Sequence, residues 1–286
     1  SEINPRIILA SISGYGQSGP YRDYIGYGPA ASALTGTSDT TGYVGGGPEE
    51  VGVSMPDPNA GITAALAIVS ALERRDETGV GDHLDVSLFE ASAAYGVEAW
   101  MQYALNGTQP ERIGNRDPWM APHGCFPCQG EDEWVAMACA SDDEWRTLAA
   151  LIDPSLVGDT RFESLSARKA NEDVLEEVVR AWTGKCDRWQ VTLVLQSAGI
   201  AAFPTFTCRD IVEDPHLNAR GYIERLPHPE TGSRAHAGIP WRLRRRPNGV
   251  RFPAPCLGAD TEHALREILG YDEEKIAVLR AGDVLT

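Results

Sequence analysis

Met55-Pro56-Asp57-Pro58-Asn59-Ala60-Gly61 runs without a break into Ile62-Thr63-Ala64-Ala65-Leu66-Ala67-Ile68-Val69. An aspartate stands between two prolines at the mouth of a strongly apolar, alanine-rich segment. Such a segment favours helix, and proline is tolerated in the first helical turn, where its missing N–H has no carbonyl to bond. The pattern predicts a helix from Pro58 to about Arg75, with Asp57 as its N-cap and Pro58 as the first helical residue. A carboxylate placed there accepts the orphan amide hydrogens of the first turn and is held ionised by the helix dipole. An ionised, oriented carboxylate is also a competent nucleophile toward an acyl group. Capping is the ordinary use of such an aspartate, and spacing alone does not separate the two roles. Because the helix is apolar almost all round, it is expected to be buried.

On the N-terminal side, Arg6 to Ser13 is β-branched and apolar without clean alternation, as in a buried strand of a parallel sheet. It empties into Gly14-Tyr15-Gly16-Gln17-Ser18-Gly19-Pro20, where a ligand or a tight turn would use the same glycines. Pro29 to Thr35 reads as a short helix, and Gly42 to Pro48 as a loop that either moves over a site or simply connects. After Asp57 and its helix, Thr78-Gly79-Val80-Gly81 turns into a strand, His83 to Ser87. A helix from Phe89 to Leu105 follows, carrying Tyr95, Trp100 and Tyr103. Strand–helix–strand–helix is an α/β order.

Residues 106–112 read as a polar linker, closing a large-domain segment at 1–105. Gly124 to Phe126 and Trp134 to Ala138 flank Gln129-Gly130-Glu131-Asp132, a hairpin with an acidic turn. Helices are expected at Asp142 to Ile152 behind a Ser141 cap, at about Asn171 to Thr183, and at Asp187 to Ala198. Residues 113–200 therefore make a smaller α+β domain. Residues 201–286 include a helix at Cys208 to Glu213 and two closing helices, about Thr261 to Leu269 and Glu273 to Ala281.

The formal charge is −16 over 286 residues, which argues against nucleic acid, since phosphate contacts need a basic surface. No apolar run reaches the ~20 residues that span a bilayer, so a cytoplasmic protein is expected. Six cysteines are too sparse for a disulfide framework. Cys125 and Cys128 beside His123 lack a second ligand pair and read as structural, with no metal site expected. Arg242, Arg244, Arg245, Arg246 and Arg251 read as a solvated or salt-bridged strand face rather than a phosphate patch, and His236 as a surface residue. No P-loop, dinucleotide fingerprint or nucleophile elbow is present.

Asn4-Pro5-Arg6-Ile7-Ile8-Leu9-Ala10-Ser11-Ile12-Ser13-Gly14-Tyr15-Gly16-Gln17-Ser18-Gly19-Pro20 resembles the middle segment of the class III CoA-transferase family, of the formyl-CoA transferase and carnitine-CoA transferase type. Collinear matches follow at Thr78 to Ala91, at Gly114-Asn115-Arg116 with Ala121-Pro122-His123-Gly124, at Asp214 to Gly221, and at Leu257 to Thr261. The resemblance implies an α/β fold: an incomplete Rossmann-like large domain with a parallel sheet and helices, plus the smaller α+β domain. Residues 201–286 would return to pack on the large domain, and subunits would interlock as dimers. It implies a transferase of the CaiB/BaiF-like family with no permanently bound cofactor and with coenzyme A as co-substrate. Asp57 falls on the family's catalytic nucleophile. Gly14, Tyr15, Gly16, Gln17, Tyr27 and Asn59 fall where substrate and CoA are bound, and the amides of Asn59 and Ala60 are placed to stabilise oxyanions.

The implied reaction passes CoA from an acyl-CoA donor to a carboxylic acid through an aspartyl mixed anhydride and an enzyme–CoA thioester. Members similar to this chain carry a further segment before Asn4, so the chain reads as a fragment, a processed product or a split subunit. Its partner would then be a second copy, or a chain supplying that region. The family's 2-methylacyl-CoA racemases carry a His-Asp pair where this chain has Tyr27-Gly28. That disfavours the racemase alternative, because neither residue replaces the histidine. Gly28 also departs from the acidic residue many transferases carry there. A non-catalytic half of a hetero-oligomer is the third reading.

Overall fold

Two short parallel strands frame the region of Asp57. β1 (Leu9–Ser13) and β2 (His83–Ser87) pair with Leu9 opposite His83 and Ser13 opposite Ser87. The computed structural model describes residues 3–246, 248–282 and 284–285, so the expected domain limits at Ser1 and Thr286 lie outside the described residues, as does Pro247 within the arginine-rich stretch. β1 starts at Leu9 rather than Arg6. Asn4 turns the preceding residues, its carbonyl accepting from Ile7 N at 3.1 Å and its side chain from Arg6 N at 2.9 Å.

The crossover between these strands holds α1 (Gly28–Leu34), α2 (Thr37–Thr40) and α3 (Pro56–Thr78). α3 begins at Pro56 with Met55 as N-cap, so Asp57 is its second residue rather than its cap. Either proline can open a helix, because neither needs an acceptor in the first turn, and the chain uses both. The expectation of a buried helix also fails. A stripe of small residues, Ala60, Ala64 and Ala71, is buried, whereas Ile62, Leu66 and Val69 are 69%, 69% and 64% exposed. The alanines lie on the side of α3 that packs against β1, β2, α1 and α4, while the branched residues are left exposed.

α4 (Leu88–Ala93) and α5 (Val97–Asn106) replace the single expected helix. The break is a 3₁₀ turn at Ala94–Gly96, where glycine pays the largest entropy cost of helix formation.

A denser core follows. β3 (His123–Pro127), β4 (Trp134–Ala138) and β5 (Ala201–Pro204) form an antiparallel sheet with β4 in the centre. The helices against it are α6 (Asp142–Ile152), α7 (Leu165–Ala170), α8 (Glu172–Thr183) and α9 (Arg188–Ser197). Trp145, Leu148, Phe162, Leu175, Val179 and Leu195 fill the space between. The expected Ser141 cap is in place, accepting from Glu144 N, whereas Asp187 caps α9 rather than opening it, accepting from Trp189 N and Gln190 N. Arg168 is wholly buried here and donates from Nε to the Ala121 carbonyl at 2.7 Å, with Asp142 2.9 Å from its Nη2. Cys128 lies in this core while Cys125 is exposed.

The chain divides into two compact units, Ser1–Pro204 and Thr205–Thr286. The second holds α10 (Cys208–Glu213), α11 (Pro215–Ala219), the hairpin β6 (Ile223–His228) and β7 (Gly232–Ala237), then α12 (Thr261–His263) and α13 (Glu273–Ala281). α12 continues as a π-turn at Ala264–Ile268. His236 is half-buried on β7. Arg242, Arg244, Arg245 and Arg246 do not form the expected strand. They lie in an exposed loop pinned by Asn248, whose side chain accepts from Leu243 N at 3.0 Å and donates to the Trp241 carbonyl at 2.9 Å. An asparagine that bonds the backbone locally competes with ladder formation, and Pro240 lacks the donor a strand needs.

Candidate active site

The carboxylate of Asp57 is exposed at the start of α3, and the Ser54 hydroxyl donates a short hydrogen bond to its Oδ2. A helix N-terminus normally surrounds an anion with free amides. Here it does not. Pro56 and Pro58 carry no N–H, and Asn59 N donates to the Met55 carbonyl at 3.2 Å. The expectation that the Asn59 and Ala60 amides serve an oxyanion is therefore overturned, because a helix starting at Pro56 takes both positions into its own ladder. Of Pro56, Asp57 and Pro58, Asp57 alone carries an N–H.

Asn59 is buried and faces elsewhere. It lines a cavity of about 340 Å³ together with Ser32, Pro56, Ser92, Tyr95 and Glu98.

Gly28, the first residue of α1, closes the other side of Asp57. A Cβ built on Gly28 would overlap Ser54 Oγ and Asp57 Oδ2. Tyr27, the N-cap of α1, is 82% exposed beside it, and its carbonyl accepts from Ala30 N at 3.0 Å.

The glycine loop reaches the same neighbourhood through Tyr15. The Tyr15 hydroxyl lies where a Cβ of Gly26 would be, and its ring meets Tyr21 and Tyr24 edge-on at 6.3 and 6.5 Å. The loop is tied to the strand ends. Gly14 O accepts from Phe89 N at 3.0 Å, and Gly16, at φ +88°, donates to Ser13 Oγ at 3.1 Å. Gln17 N donates to both oxygens of Asp85, at 3.1 and 2.9 Å. The amides of Gly16 and Gln17 thus already hold partners within the chain. Gly14, Tyr15, Tyr27 and Asp57 are linked by way of Gly26 and Gly28, whereas Asn59 opens to a separate cavity.

Ser54 has one readable trace in the sequence: it stands three residues before an aspartate, as a serine cap does. Asp85 lies within the Thr78 to Ala91 match, but nothing in that stretch marks it as the partner of Gln17.

The site thus presents, in an α/β chain, an exposed carboxylate at a helix start held by one hydroxyl. The chain matches CoA-transferase family III over residues 1–261, and it belongs to that family. It is 31% identical to the succinyl-CoA–D-citramalate CoA-transferase of Chloroflexus aurantiacus over 99% of this chain and 70% of that protein. It is 30% identical to the succinyl-CoA–L-malate CoA-transferase beta subunit of the same organism, over 100% of this chain and 71% of that one. To the acetyl-CoA:oxalate CoA-transferase of Acetobacter aceti it is 35% identical over 78% of this chain and 57% of that protein. The crystal structure of a CAIB/BAIF family protein from Brucella suis superposes with a TM-score of 0.84 at 29% identity, covering 93% of this chain and 69% of that one. The fold is mixed α/β of this family, its relatives are CoA-transferases, and the family implies CoA thioesters as substrates. Among the described residues no helix is long and apolar enough to cross a membrane.

Proposed function

We propose that this chain moves CoA from an acyl-CoA donor to a carboxylic acid acceptor, with Asp57 as the covalent nucleophile. The observation that carries the reading is the state of Asp57: exposed, oriented by one hydroxyl, and free of the amide cage that would mark a capping residue. Its carboxylate attacks the thioester carbonyl and expels the CoA thiolate, leaving a mixed anhydride. The thiolate attacks the aspartyl carbonyl and releases the first acid, and a second acid then takes the CoA by the reverse steps. A carboxylate suits this exchange because an anhydride keeps the reactivity of the thioester through every step. The named relatives use succinyl-CoA or acetyl-CoA with citramalate, malate or oxalate, which makes small acids the first acceptors to try.

Tyr27-Gly28, standing where the racemases carry their His-Asp pair, supports transfer over racemisation, since neither residue takes the histidine's acid–base role. Tyr15 and Tyr27 would line the thioester end. The exposed face of Ile62, Leu66 and Val69 supports a dimer in which a second copy of this chain covers it, consistent with relatives named as subunits of one enzyme.

The test is to incubate the active protein with acyl-CoA, trap with hydroxylamine or borohydride, and map the adduct by mass spectrometry. Label on Asp57, together with a loss of at least about 10³-fold in Asp57→Ala, is expected. Full turnover by that variant ends the reading.

A further inference from the structure

We propose that Ser54 is the residue that positions Asp57, that its hydroxyl steadies the aspartyl oxygen each time charge builds on it, and that Gly28 is glycine to make room for that hydroxyl. The inference rests on Asp57 being the nucleophile and adds what holds it.

Three observations converge. Ser54, half-buried in the turn before α3, donates from Oγ to Asp57 Oδ2. Prolines at 56 and 58 remove two of the amides that would otherwise do this work, and the Asn59 amide is spent on Met55. The nearest atom to a Cβ at Gly28 would be Ser54 Oγ, and the next would be Asp57 Oδ2. A side chain at position 28 would therefore force both the hydroxyl and the carboxylate oxygen it holds to shift.

The chemistry explains why a donor on Oδ2 matters. When Oδ1 bonds to the thioester carbonyl carbon and the carbon–sulfur bond breaks, Oδ1 becomes the bridging oxygen of the anhydride and Oδ2 its aspartyl carbonyl oxygen. The thiolate then adds to Cγ, and the carbonyl electron pair moves onto Oδ2. Collapse breaks the Cγ–Oδ1 bond, the first acid leaves as a carboxylate carrying Oδ1, and Cγ becomes a thioester. Addition of the second acid to Cγ places charge on Oδ2 again. Each addition at Cγ loads the atom that Ser54 faces, and the hydroxyl keeps its own proton throughout. A fixed donor at a developing oxyanion acts without reorganisation at the moment of reaction.

Steady-state kinetics on the active enzyme decide it, with Ser54→Ala, Ser54→Thr, Gly28→Ala, the Gly28→Ala/Ser54→Ala pair and Asp57→Ala measured side by side. Ser54→Ala should lose about 10²-fold in kcat with KM for acyl-CoA changed less than about twofold, as for removal of an oxyanion donor. Ser54→Thr, which restores the hydroxyl, should recover most of that loss. Gly28→Ala should lose a similar factor, and the double variant should be no worse than the poorer single one, because both remove the same interaction. Wild-type kcat in Ser54→Ala, failure of threonine to rescue, or losses that multiply in the double variant would each overturn the proposal. Should Gly28→Ala fold poorly by circular dichroism, the Ser54→Ala and Ser54→Thr pair decides alone. An inactive Asp57→Ala beside a fully active Ser54→Ala sinks this inference only, whereas a fully active Asp57→Ala sinks the reading beneath it.

Discussion

The cluster around Trp145 and the cluster around Asp57 lie in the same chain, yet they bury their apolar residues very differently. Around Trp145, four helices close on a three-stranded sheet, and large side chains such as Phe162, Leu175 and Leu195 are fully enclosed. Behind Asp57 the buried cluster is Ala60, Ala64 and Val86, with Leu88 and Ala91 against it. Small residues bring α3 close to the two strands but remove little area from water, and hydrophobic stabilisation scales with that area. The region that carries the candidate chemistry is thus less stabilised by its own core than the region around Trp145. Functional segments are commonly drawn from the weaker end of a structure's local stability.

The sharpest way to break this comparison is to truncate one side chain in each region. Trp145 is 1% exposed and packs edge-on against Phe162 at 5.5 Å. Trp145→Ala should cost about 3–5 kcal/mol in urea unfolding of the region 113–204, in line with large-to-small changes in packed cores. A loss below about 1 kcal/mol would mean that this core is looser than its burial implies.

A smaller effect comes from the thiols of the dense region. Burial pushes Cys139 up from an ordinary 9.0 to about 12, and Cys128 up to about 11. In the unfolded chain these thiols ionise near their ordinary value, while the folded chain keeps its protons. Stability from this source is complete below about pH 9 and is lost as pH rises toward 11 and then 12. Thermal melts should therefore fall between pH 9 and 11, and Cys139→Ala should flatten part of that slope. A melting temperature independent of pH across that window contradicts the assignment.

The least effect is expected at the exposed face of α3. Leu66→Ala should change the unfolding free energy of the isolated chain by no more than about 0.5 kcal/mol, where a core leucine would cost about 2–5. A core-sized loss would show that this face is covered in solution. Appearance of that loss only at high protein concentration would assign the cover to a second copy.

Local signals made much of this molecule legible in the sequence. Ser141 before Asp142 and the Gly130-Glu131-Asp132 turn announced α6 and the β3–β4 hairpin, since caps and turns act within a few residues. The collinear motifs pointed to the family, and Pro56-Asp57-Pro58 pointed to one carboxylate. What remained hidden depends on residues far apart in the chain. Nothing in the sequence marks Arg168 as buried, because its partner carbonyl on Ala121 is brought there by folding. The side of α3 that is covered depends on where the strands stop, which hydrophobic periodicity does not encode. The setting of Asp57 was decided in the same way: helix start at Pro56 rather than Pro58 moved the Asn59 and Ala60 amides into the ladder, and Gly28 left room for Ser54. The sequence by itself determined which residues favour helix, strand and turn, and which aspartate stands between two prolines at a helix start. Only the tertiary structure decided what touches that carboxylate, because contact between residues 28, 54 and 57 exists only once α1 and α3 are packed.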